Sequence, residues 1–140
     1  MRNSLVTLSA ALGVALAAQV FQAHADDCSD AEGGQIGLDE CADNSFKKSD
    51  AELNKLYKEI EARLKDDPDT KKLLVTAQKA WIAYRDAECI FQSSGVSGGS
   101  IYPMTYSMCL DGQTQSRIQD FQNYHKCEEG DDSCPVPAAN

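Results

Sequence analysis

The sequence predicts a mainly α protein, a small antiparallel three-helix assembly stapled by disulfides. Apolar residues recur at helical spacings in three separate segments, no stretch alternates with the period of two that a half-buried strand requires, and six cysteines fall within 140 residues. Three amphipathic segments joined by short connections bury their apolar stripes most simply by packing on one another.

The first element is a leader. Met1 and Arg2 precede an uncharged run over residues 5–20, and Ala23, His24 and Ala25 give a small-x-small cleavage pattern, so residues 1–25 read as a secretory signal peptide and Asp26 as the mature start. The run is too short and Ala-rich for a membrane span, and no second one follows. Asp26 and Asp27 stand where a lipoprotein would carry its cysteine, so no membrane anchor is expected. All six cysteines (Cys28, Cys41, Cys89, Cys109, Cys127 and Cys134) follow the cut, and an even count in an exported small chain points to disulfides rather than free catalytic thiols. Loss of Arg2 with the leader takes the formal charge from −9 to −10. Such a surface repels nucleic acid and anionic lipid and steers cationic partners.

Residues 26–126 read as the helical domain. Phe46, Leu53, Leu56, Tyr57, Ile60 and Leu64 form one stripe, which extends upstream toward Leu38 because Cys41 and Phe46 fit the same face. Ser49 and Glu52 have capping-box spacing. "KDDPD" interrupts this helix: Asp67 can cap the next one, with Pro68 in its first position. The second helix runs from Pro68 to Gln92 with Leu74, Ala77, Trp81, Tyr84 and Phe91 on one face and Val75, Ile82 and Cys89 beside it, a surface wide enough for two neighbours. "SSGVSGGS", residues 93–100, is a Gly and Ser loop, after which Ser100 can cap a third helix with the stripe Met104, Met108, Ile118, Phe121 and Tyr124. Gly112 marks a candidate bend there. Residues 127–140 contain few apolar side chains and read as an acidic, disulfide-closed loop with a frayed tail.

The runs "CADNSFKKSDAELNKLYKEIEARL", "AQKAWIAYRDAEC" and "GGSIYPMTYSMC", followed by a final helix, resemble the LprI-type lysozyme-inhibitor domain of exported bacterial proteins. The likeness covers residues 28–124 and is most specific at W-x-x-[FY]-R-[DN]-x-x-C, Trp81 to Cys89, and at the Gly-Gly-Ser segment that runs from Gly98 to Cys109. It implies a mainly helical fold and, for some members, inhibition of lysozyme. The chain differs in lacking a lipoprotein cysteine and in adding Cys127 and Cys134. Six cysteines allow 15 connectivities. Locality together with the resemblance favours Cys28–Cys41, Cys89–Cys109 and Cys127–Cys134.

The stretch "WIAYRDAEC" concentrates chemistry in nine residues. Trp81 and Tyr84 are expected to be large buried anchors, while Arg85 can pair with Glu88 at the surface. A catalytic role for Asp86 or Glu88 would need a second group placed by the fold, and the sequence shows none, so this stretch reads as a packing strut. With no C-x-x-C and a single mature histidine, His125, neither a zinc site nor a serine or cysteine triad is indicated, and His125 reads as a surface residue. The acidic run 128–132 lacks the EF-hand pattern. No cofactor is expected.

Two functions remain. The first is a non-enzymatic periplasmic or secreted inhibitor that occludes the cleft of lysozyme, or binds another cationic protein, through Ser97, Gly98, Gly99, Ser100 and Tyr102. The second is a cell-envelope structural or adaptor module whose helical faces bind a different protein.

Overall fold

The computed structural model describes residues 28–138; the expected cleavage after Ala25 lies outside them. Three helices follow one another, α1 (Gly34–Arg63), α2 (Pro68–Gln92) and α3 (Tyr102–His125), with 3-10 turns at Cys28–Asp30 and Ser94–Val96 and no strand among the described residues. The expected fold class is the observed one.

α1 begins four residues before Leu38 and passes through Ser49 unbroken. Ser49 is no cap: it is buried, and its hydroxyl donates to the Phe46 carbonyl at 2.9 Å, which satisfies a serine in a helix interior. The α1–α2 turn follows the sequence closely. The Thr70 amide donates to Asp67 Oδ1 at 3.0 Å and Pro68 opens the helix. The same hydrogen bond holds the Asp67 carboxyl below its usual range. At α3, Ile101 occupies the N-cap position with no side-chain bond, so Ser100 does not cap, and the helix continues through Gly112.

The core joins α1 to α3: Leu53, Leu56, Ile60 and Leu64 pack with Ile118 and Phe121. These two helices run against each other over much of their length, whereas α2 meets α3 more sparsely. α2 buries only Gln78, Arg85 and Cys89, with Leu74 and Trp81 half-buried. Its predicted face is therefore rotated. Ala77, Tyr84 and Phe91 point to solvent, because the inward arc is taken by the polar residues Gln78 and Arg85, which find partners on the other helices.

The C-terminal segment is tied to the helices as far as Pro137. Val136 is 4% exposed and belongs to the same core as Leu64 and Phe121. Arg63 donates to the Pro137 carbonyl through Nε and Nη2, and to the His125 carbonyl through Nη1. The Cys127–Cys134 disulfide closes the acidic loop that returns the chain to this position. His125 is half-buried, with Nε2 3.5 Å from the Glu59 carboxylate and 3.4 Å from the Leu56 carbonyl oxygen, because α3 ends against the last turns of α1.

Candidate functional site

The chemistry of "WIAYRDAEC" divides between the inner and outer arcs of α2. Arg85 is 8% exposed and its guanidinium carbon lies 5.3 Å from the Phe46 ring centroid and 5.2 Å from that of Trp81. Arg117 repeats the arrangement, at 5.8 Å from Trp81 and 4.6 Å from Phe121. Rings and guanidiniums thus alternate from Phe46 of α1 through Arg85, Trp81 and Arg117 to Phe121, a stack that joins all three helices. Each such contact contributes about 0.5–2 kcal/mol, the upper end where water is excluded.

Hydrogen bonds fix the two cations in place. Arg85 pairs with Asp86 at 2.9 Å, reaches Asp50 at 3.5 Å and donates to Thr114 Oγ1 at 3.4 Å. Arg117 donates to Gln78 Oε1 at 3.2 Å and pairs with Asp120 at 3.1 Å. Beside Thr114, Asp111 is 2% exposed and accepts a bond from Ser45 at 3.0 Å, while its Oδ1 has no partner. The expected surface pair of Arg85 with Glu88 does not form. Arg85 turns inward to Asp86, and Glu88 instead accepts from Gln92 at 2.9 Å. Tyr84, expected as a buried anchor, is 55% exposed. These groups take one another as partners, and their arrangement braces the fold.

Beyond this brace lies the α2–α3 loop. The Cys89–Cys109 disulfide, with Cα atoms 5.5 Å apart, ties its two stems, and Ser93, fully buried, donates its hydroxyl to the Cys89 carbonyl at 2.6 Å. Successive backbone bonds then fold the loop on itself: Val96 to Ser93, Ser97 to Ser94, Gly99 to Val96 and Tyr102 to Gly99. Gly98 sits at φ 77°, a left-handed conformation that side chains disfavour, and a Cβ on Gly99 would come within 3.1 Å of the Val96 carbonyl oxygen. Both glycines serve the turn, and Ser97, Gly98, Gly99 and Ser100 are all exposed.

Tyr102 stands at the foot of the loop, stacked on Tyr106 with centroids 5.9 Å apart and planes 8° from parallel. These rings, with Pro103 and Ser107, share a shallow groove with Asp39, Glu40 and Asp43 of α1. Burial pushes the Tyr106 phenol up, and Asp86 and Tyr102 add to the shift while Arg85 opposes it. The structure therefore brings the predicted loop residues together and sets an acidic, tyrosine-walled groove next to them. A second disulfide, Cys28–Cys41, pins the 3-10 turn at Cys28–Asp30 to α1 near this end.

Sequence reading passed over Ser45, Asp111, Thr114 and Arg117. A signal existed: Leu110, Asp111, Thr114, Ile118 and Phe121 follow one helical face, so Asp111 and Thr114 interrupt an inward stripe and predict a buried polar contact.

A family model described as "Lysozyme inhibitor LprI" matches residues 26–121. The chain is also similar to an uncharacterized protein of Rhizobium meliloti (strain 1021), 34% identical over 106 residues that cover 68% of this chain and 76% of the relative. No solved structure matches.

Proposed function

The chain belongs to the LprI lysozyme-inhibitor family, and from that membership we propose that it is an exported protein that binds lysozyme and blocks its cleft with the loop at residues 93–100. It acts by occlusion and contributes no bond-making of its own. In this reading residues 1–25 are removed on export, residues 26–126 form the inhibitory domain, and the three disulfides form in the oxidising compartment outside the cytoplasm.

The observation that carries the proposal is the pre-formed, exposed loop held between disulfide-tied stems. Binding then costs little ordering entropy, since the turn is already hydrogen-bonded. Lysozyme cleaves with two carboxyl groups. Groups that approach them must be neutral or positive, and the loop offers hydroxyls and backbone amides with no acid between Ser93 and Tyr102. Asp39, Glu40 and Asp43 lie at the loop's foot, where they attract a cationic enzyme without entering its cleft.

The test is cell-wall lysis by several lysozyme types in the presence of the disulfide-intact mature protein. Dose-dependent protection at micromolar protein against at least one type supports the reading. Undiminished lysis with every type removes it.

A further inference from the structure

The sequence gives α2 an apolar surface wide enough for two neighbours, and the fold supplies only one side. Five of the large apolar residues left exposed lie on this helix: Leu73 at 69%, Ile82 at 40%, Tyr84 at 55%, Ile90 at 56% and Phe91 at 73%. Leu73, Ala77, Ala80, Tyr84, Ala87 and Phe91, all exposed, follow spacings of four, three, four, three and four. That is the seam by which one helix packs along another over five successive turns. No charged residue interrupts it.

We propose that this face docks a second copy of the chain, α2 against α2, in an antiparallel two-fold dimer. The seam fits its own reverse: Tyr84 of one copy lies over Ala80 of the other, Ala77 faces Ala87, and Leu73 faces Phe91. An isologous contact needs this self-complementarity. Charge favours the same occupant. The seam residues themselves carry no charge, so two copies of a chain with formal charge −9 meet here without like-charge repulsion. A cationic enzyme would find no carboxylate on this seam, and the two Gly/Ser loops end up at opposite ends of the dimer, clear of the contact. One helix face falls at the low end of interface sizes, below about 1,200 Å² in total, so the dimer is a weak one.

Sedimentation equilibrium of the disulfide-intact protein from about 1 to 500 μM spans the range in which such an interface associates. The expected result is a rise from monomer to dimer mass, with Ala80→Glu and Ala87→Glu each weakening association at least tenfold and leaving the helical circular dichroism unchanged. A monomer throughout the range, or a dimer indifferent to both substitutions, would overturn the proposal.

Discussion

Arg85 joins more of the molecule than any other described side chain: two aromatic rings, two carboxylates and a hydroxyl, drawn from all three helices. A lysine carries the charge but neither the planar face nor the fork, so Arg85→Lys should cost about 1–3 kcal/mol although net charge is unchanged. Urea denaturation checks this, and equal midpoints for the two proteins would show that the stack contributes nothing. Trp81 is half-buried between Arg85 and Arg117, so Trp81→Ala should cost about 3 kcal/mol, the lower end for truncation of a large aromatic. Val136 packs into the core from the C-terminal segment, and Val136→Ala should cost about 1–2 kcal/mol at roughly 0.8 kcal/mol per buried methylene-sized group. A neutral substitution there would mean that the segment leaves the core in solution.

At the scale of the element, the α1–α2 turn depends on Asp67. Its carboxyl titrates below the ordinary value of 3.8 in the folded chain because the Thr70 amide stabilises the charged form. A depressed folded value contributes stability above the unfolded value and loses it as pH falls through the folded one. Asp67→Ala should therefore lower the melting temperature at pH 7, and the gap from wild type should narrow as the pH drops below about 3.8. Thermal melts from pH 7 to pH 2 decide it; a gap independent of pH would assign the loss to something other than this charge. This turn was legible in the sequence because its determinants lie within four residues. The helices were legible for the same reason, since periodicity is local. The orientation of α2 was not: Arg85 counts as polar in any periodic pattern, and Phe46, Asp50 and Thr114, which are remote in sequence, draw it inward. One valine between two prolines likewise gave no periodic signal for Val136.

For the whole molecule, the disulfides and the alternating stack make a stiff body from a modest core. The Cys89–Cys109 bond closes a segment with a sequence separation of 20. Its removal by paired Cys→Ser substitution should cost about 3 kcal/mol and loosen the loop together with both stems. The loop residues were legible as a Gly and Ser run, but their hydrogen-bonded form and the acidic groove at their foot depend on α1 and α3 meeting. The central claim is that this loop, held rigid, makes the contact with lysozyme. Gly98 tests it most directly, because its left-handed backbone shapes the turn while nothing lies within 4 Å of an added Cβ. Inhibition titrations with wild type and Gly98→Val, against a lysozyme that the wild type inhibits, should show at least a tenfold weaker variant whose helical content is unchanged. Equal inhibition by the two proteins would contradict the account.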